Sequence, residues 1–154
     1  MQEKKTGTIK PPPPAREAAL RLLSRREHSA QELKRKLVAR GVEASGAADA
    51  VAALAARDLQ SDARYADQVV RTRIAQGYGP RRIRAELEHA GLTRDSIRQS
   101  LEHAGCDWSE LAQRTLQRKF RGAAALRRKQ WQFLHARGFE TREIESALGD
   151  GNED

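Results

Sequence analysis

The chain has 154 residues, 38% of them hydrophobic and 32% charged, with a mean hydropathy of -0.78; so little apolar material excludes one deep core and points to small units with shallow cores. The formal net charge is +8 and the sequence pI about 10.2, which fits a polyanionic or acidic partner and, equally, a solvated basic surface serving solubility alone. A single cysteine, Cys106, excludes an internal disulfide and suits a reducing, cytoplasmic setting; no apolar run reads as a signal peptide or a membrane span.

Residues 1–14 carry Lys4, Lys5 and Lys10 and end in Pro11 to Pro14, a composition that predicts a disordered proline-rich arm. Residues 15–60 predict three helices. The first bears Leu20 and Leu23. The second opens at Ser29-Ala-Gln-Glu32, a capping-box pattern, and stops at Gly41. The third runs through Val51 and Leu54. Residues 61–105 predict three more: one capped at Ser61-Asp62 with Tyr65, Val69 and Ile74 along it, one opened by Pro80 after the Gly77-Tyr-Gly-Pro80 break and bearing Ile83 and Leu87, and one capped at Thr93 with Ile97 and Leu101. Residues 106–149 predict a last set. Asp107 and Glu110 open a helix with Leu111, Leu116 and Phe120, Gly122 interrupts it, a second helix bears Leu126, Trp131 and Leu134, and a third bears Ile144 and Leu148. Residues 150–154 read as a frayed tail.

The three sets repeat one another. Gly41, Gly91 and Gly138 each follow a leucine by four residues (Leu37, Leu87, Leu134) and precede an apolar residue (Val42, Leu92, Phe139). Ile97 and Ile144 lie six residues beyond their glycines, and Leu101 and Leu148 ten beyond. Ile83 answers to Leu33, whereas the third set has Gln130 there, with Trp131 and Phe133 beside it. A period of 50 and then 47 residues signals helical repeats too small to stand alone. The expected fold is all-α: three tandem three-helix repeats forming an elongated, curved array, monomeric and binding through a long face.

Charge is distributed unevenly. Leu111 to Phe139 contains no acid and eight cations: Arg114, Arg118, Lys119, Arg121, Arg127, Arg128, Lys129 and Arg137. Gln68 to Ala85 is also acid-free and holds Arg71, Arg73, Arg81, Arg82 and Arg84. Lys34, Arg35, Lys36 and Arg40 occupy the equivalent helix of the first repeat. Solvated helix faces usually alternate in sign, so these blocks predict a binding face for nucleic acid or an acidic protein. Tyr78, between two glycines, is either the one exposed aromatic or, equally, a plug for the turn. His28, His89, His103 and His135 are scattered at helix ends or on polar faces, and no metal-ligand, phosphate-loop or dinucleotide motif occurs. No catalytic residue, metal or cofactor is expected.

The second repeat resembles the signature of the RecX family of RecA recombinase regulators: Asp62-Ala-Arg-Tyr-Ala66, Arg73, Gly77-Tyr-Gly-Pro80, Arg82-Ile83, Arg84 and Glu86-Leu87. The Ser29 to Gly41 helix resembles the family as well, and the third repeat does so through its length and its Gly138-Phe139 turn. The resemblance implies three tandem three-helix units. It also implies a cytoplasmic, non-catalytic inhibitor in the SOS response and recombinational repair, binding along the groove of the RecA–DNA filament. Inhibition of ATP hydrolysis, strand exchange and coprotease activity follows from it, as does weak binding to DNA. The matching positions Arg64, Tyr65, Arg73, Arg82 and Arg84 are carried over as partner-binding candidates. Arg71, Arg81, Lys34, Arg35, Arg127, Arg128 and Lys129 join them from the charge pattern. The alternatives are a sequence-independent DNA-binding protein acting without RecA, and an adaptor for another acidic protein.

Overall fold

The computed structural model describes residues 14–121 and 125–149. The predicted arm up to residue 13, the Gly122 interruption and the 150–154 tail lie outside the described residues. Among those residues there are nine α-helices and no strand, and the chain gathers into two compact units, one within residues 1–60 and one within 61–154.

The first unit consists of α1 (Ala15–Arg25), α2 (Ala30–Ala39) and α3 (Ala44–Ala56). Its core is Ala18, Ala19, Leu22, Leu33, Leu37, Ala47, Val51 and Leu54. Leu20 and Leu23, expected to carry the inner face of α1, only flank it; Ala18, Ala19 and Leu22 turn inward instead. Three alanines in a core of eight let the helices approach closely, at the cost of apolar area. Ser29 caps α2 by accepting from the Glu32 N–H at 3.1 Å, but the Glu32 carboxylate pairs with Arg26 and Lys36. The reciprocal capping box forms at the other end of the chain, between Glu140 and Glu143.

His28 departs from the surface position expected of it: it is 1% exposed. Its Nδ1 lies 3.0 Å from the Arg26 carbonyl and its Nε2 3.3 Å from Lys36 Nζ. An ammonium and a carbonyl leave one consistent assignment, a neutral ring donating from Nδ1 and accepting at Nε2. Burial, followed by the charge of Arg26, pushes the imidazole below its usual range. Gln60 Nε2 closes the site by donating to the His28 carbonyl at 3.2 Å.

The second unit holds α4 (Asp62–Ala75), α5 (Pro80–His89), α6 (Arg94–His103), α7 (Trp108–Lys119), α8 (Arg127–Ala136) and α9 (Thr141–Leu148). One core gathers α4 to α6 around Tyr65, Ala66, Val70, Ile83, Leu87 and Ile97. Another gathers α7 to α9 around Leu111, Ala112, Leu116, Leu134, Phe139 and Ile144. Ile74 and Trp108 pack against both, so the two cores are continuous. Leu126, expected on α8, is its N-cap residue and is 72% exposed. The half-buried Trp131 and Phe133 supply apolar surface where the repeat pattern has Gln130.

The periodic glycines end three helices in one way. Gly41, Gly91 and Gly138 have φ of 94°, 88° and 91°. The next residue's N–H returns to the leucine carbonyl: Val42 to Leu37 at 3.1 Å, Leu92 to Leu87 at 3.1 Å, Phe139 to Leu134 at 3.2 Å. This is the Schellman arrangement, in which a left-handed residue turns the chain so that two terminal carbonyls are satisfied and the following apolar residue is driven inward.

Gly138 has a second duty. Gly79 N–H donates to the Arg137 carbonyl at 2.8 Å and Arg81 N–H to the Gly138 carbonyl at 2.9 Å. The loop between α4 and α5 is thereby bonded, backbone to backbone, to the turn between α8 and α9. A Cβ on Gly79 would lie 2.5 Å from the backbone of Gly138 and Phe139, and one on Gly138 would lie 2.5 Å from Arg82 Cβ and 2.7 Å from its backbone nitrogen.

Two expectations follow. Gly138→Ala meets both left-handed strain and rigid backbone, whereas Gly105→Ala, at φ 57° with nothing within 4 Å, meets strain alone. Denaturant unfolding of the second unit should show a loss of about 1–2 kcal/mol for Gly105→Ala and at least about 3 kcal/mol for Gly138→Ala; equal losses would contradict the close-approach account. For His28, the folded state holds its proton less tightly than the unfolded chain, so unfolding binds protons and stability rises with pH. Thermal unfolding of the first unit should weaken as pH falls below the unfolded value of about 6.5. The wild type should lose more than His28→Gln between neutral and mildly acidic pH, and parallel pH profiles would refute the buried neutral ring.

Candidate functional site

The twelve sequence-predicted site residues divide by what they touch. Arg73, on α4, reaches α5: Nε and Nη2 each donate at 2.7 Å to the two carboxylate oxygens of Glu86, and Nη1 donates to Gln76 Oε1 at 2.8 Å. These bonds to Glu86 raise the guanidinium further above its already high range. Arg73 is therefore a brace between two helices. Arg84 lies 3.6 Å from Glu140 at the start of α9, Arg81 donates to the His135 carbonyl at 2.8 Å, and Arg127 donates to the Leu148 and Gly149 carbonyls at 3.3 and 3.0 Å. Each ties one element of the second unit to another. Tyr65 is 7% exposed in the α4–α6 core, so its ring packs inward and offers a partner almost nothing. Arg64 is half-buried, and Arg35 is exposed on α2.

Lys34, Arg71, Arg128 and Lys129 are exposed and make no ion pair among the described residues. Lys34 belongs to the first unit. Within the second, the α5 arginines meet the C-terminal end of α8, while Arg127 to Lys129 begin that helix. Lys129 lies six positions before His135, roughly 9 Å along the helix axis, so the two groups form two neighbouring basic areas.

Arg82 belongs to an arrangement that the charge pattern did not disclose. Its Cζ lies 4.1 Å from the centroid of the Tyr78 ring, and Arg137 Cζ lies 4.6 Å from the same centroid. Arg137 also lies 5.3 Å from the Phe133 centroid, and Lys119 Nζ lies 5.8 Å from it. Tyr78 lies between the two alternatives, half-buried with these two guanidiniums over its ring. Arg137 further donates to the Gln76 carbonyl at 3.0 Å. Lys119 and Arg137 stood in the acid-free block, yet nothing in their spacing tied them to Tyr78, which lies on another element; the Gly79–Gly138 contact brings them together.

A groove of about 770 Å³ runs beside α5, α6 and α9, with Ile97, Leu101 and Trp108 at its floor and charges of both signs at its rim. Glu143 in its wall is 3% exposed. Burial raises its carboxyl above the usual range, opposed by the Glu140 N–H that it accepts at 2.8 Å. Burial likewise raises the Cys106 thiol above its usual range. Among the described residues no cluster of three His, Cys, Asp or Glu is placed to hold a metal, and no helix is long and apolar enough to cross a membrane.

Fold and surface together define a class: a basic, all-helical protein of three-helix groups, whose outward chemistry is cations carried on rigid helices. Residues 15–54 match the family model described as RecX, first three-helix domain, and residues 61–101 match RecX, second three-helix domain. The chain belongs to the RecX family. The regulatory protein RecX of Chromohalobacter salexigens is 40% identical over 136 residues, covering 86% of this chain and 90% of that protein. The protein of the same name from Xanthomonas axonopodis pv. citri is 46% identical over 133 residues, covering 84% and 82%. The crystal structure of RecX from Lactobacillus salivarius shares the fold, with a TM-score of 0.74 at 24% identity over 87% of this chain and 92% of that one. A crystal structure of a regulatory protein RecX superposes with a TM-score of 0.71 at 26% identity, covering 86% and 69%. A regulatory role goes with this family.

The brace and the free cations should respond differently to charge reversal. Arg73→Glu sets two carboxylates against each other between α4 and α5 and should cost roughly 2 kcal/mol in thermal or denaturant unfolding. Arg71→Glu, exposed two residues away, should stay within about 0.5 kcal/mol of wild type.

Proposed function

We propose that this protein binds the RecA–DNA filament and restrains its ATPase, strand-exchange and coprotease activities. The observation that carries the reading is the match of the chain to both RecX three-helix domains, together with relatives named regulatory protein RecX that it covers over most of their length. The protein works by binding, without a cofactor or catalytic step, in the cytoplasm. The exposed cations Lys34, Arg71, Arg128 and Lys129, spread over both units, are the groups best placed to meet an acidic groove, because using them costs no internal bond. Arg73, Arg81, Arg84 and Arg127 contribute indirectly, by holding the helices of the second unit in register.

Restraint follows from differential affinity. A protein that touches more than one filament subunit shifts the filament toward the state it binds more tightly, and only by that difference. The test is DNA-dependent ATP hydrolysis by RecA of the same organism, titrated with wild type and with the Arg71→Glu/Arg128→Glu/Lys129→Glu variant. Inhibition should set in well below the amount needed to coat the DNA and should weaken about tenfold or more in the folded variant, as expected when several charged contacts are reversed. Inhibition only at DNA-coating concentrations, lost with modest salt, would favour a DNA competitor that acts without RecA.

A further inference from the structure

The C-terminal ends of α1 and α2 open on one pocket of about 450 Å³ in the first unit. Arg25 and Arg26 reach it from the end of α1, and Lys36 and Arg40 from the end of α2. No acid lines it; Leu22, His28 and Ala39 complete the wall. Glu32 pairs with Arg26 and Lys36 from outside the lining, so one carboxylate answers four cations. Arg25 and Arg40 are exposed and make no ion pair among the described residues. Lys36 is held from behind. Its ammonium donates to His28 Nε2 at 3.3 Å, and the ring, 1% exposed, donates from Nδ1 to the Arg26 carbonyl. The neutral imidazole thus fixes the ammonium without neutralising it. Cations in the last turn of a helix also complement its dipole, yet that effect asks only for charge near each helix end. It requires neither that two ends share a cavity nor that a buried ring hold one of the cations. Like charges brought together repel, and this recess leaves the repulsion for an incoming anion to relieve.

We propose that this pocket binds a small multivalent anion of the polyphosphate class, as free pyrophosphate or as the terminal phosphates of a nucleoside triphosphate. Guanidinium forks and an ammonium suit closely spaced phosphate oxygens. A multivalent head group engages several of the cations at once, whereas a chloride or a lone carboxylate engages one. An internal phosphodiester of a nucleic acid carries one charge and is flanked by sugars, so it suits an open ridge better than a recess backed by a buried ring. The site uses none of Lys34, Arg71, Arg128 and Lys129, and its ligand is neither recombinase nor DNA, so it goes beyond the filament reading.

The test is isothermal titration calorimetry of the full chain with sodium pyrophosphate at low salt, without recombinase or DNA. One saturable site per chain is expected. Arg25→Gln/Arg40→Gln removes the two unpaired cations and should weaken binding about tenfold or more, and Arg40→Gln alone about threefold, as charge-assisted contacts are lost. Arg16→Gln/Arg21→Gln makes the same change of net charge on exposed residues of α1 outside the pocket and should stay within about twofold of wild type. Adenosine triphosphate should displace pyrophosphate at comparable concentration. Circular dichroism establishes that each variant is folded. Absence of saturable binding by the wild type would overturn the proposal. Equal losses in the two double variants would do the same, reducing the effect to diffuse attraction. So would displacement by a single-stranded oligonucleotide with internal phosphodiesters only, at equal phosphate concentration, which would assign the pocket to a nucleic-acid backbone. Triphosphate binding without pyrophosphate binding would move recognition to the nucleoside and also sink the proposal. Because no recombinase is present, failure here leaves the filament reading standing, and failure of the ATPase test leaves this one.

Discussion

The second unit depends on two glycines meeting. Gly79 and Gly138 approach so closely that neither tolerates a Cβ, and the backbone around them exchanges two hydrogen bonds. Side-chain packing alone would let the α4–α6 and α7–α9 groups slide against one another, since a small shift in an apolar contact costs little. Backbone hydrogen bonds at 2.8 and 2.9 Å permit no such latitude. With that register set, Arg81 reaches the His135 carbonyl, Arg137 reaches the Gln76 carbonyl and the Tyr78 ring, and Ile74 and Trp108 serve both cores. The Gly-Tyr-Gly-Pro segment thus acts first as an internal joint.

This changes how the arginines of the second unit are understood. A dense run of positive charge suggests a surface waiting for a partner, yet Arg73 spends its guanidinium on Glu86, Arg81 and Arg127 on main-chain carbonyls, and Arg84 faces Glu140. Arginine suits both tasks because its planar fork forms several directed bonds while its charge still reaches solvent. Part of the basic character behind the net charge of +8 is therefore already engaged inside the fold, while among the described residues Arg71, Arg128 and Lys129 stay exposed without an ion pair.

The helices were legible because their signals are local. Ser61, Thr93 and Asp107 cap where their side chains can only cap, Pro80 opens α5, and the periodic leucine–glycine–apolar triplets end helices through bonds spanning six residues. What stayed hidden was relational. The inward face of α1 is set by Ala18 and Ala19, which hydropathy ranks below Leu20 and Leu23 but which allow closer packing. His28 is buried, and Gln60, 32 residues away, donates to its backbone carbonyl. The stacking of Arg82 and Arg137 on the Tyr78 ring depends on residues 78 and 137 lying together, which sequence spacing does not encode.

The two tryptophans, Trp108 and Trp131, both sit in the second unit, the former against both its cores and the latter stacked on His135 at 4.8 Å. The first unit contains neither tryptophan nor tyrosine. Intrinsic fluorescence is consequently a private signal of the second unit, whereas backbone dichroism sums over both. If the two units unfold at different temperatures, the optical probes will disagree, and a single melting temperature from tryptophan emission will describe only part of the molecule.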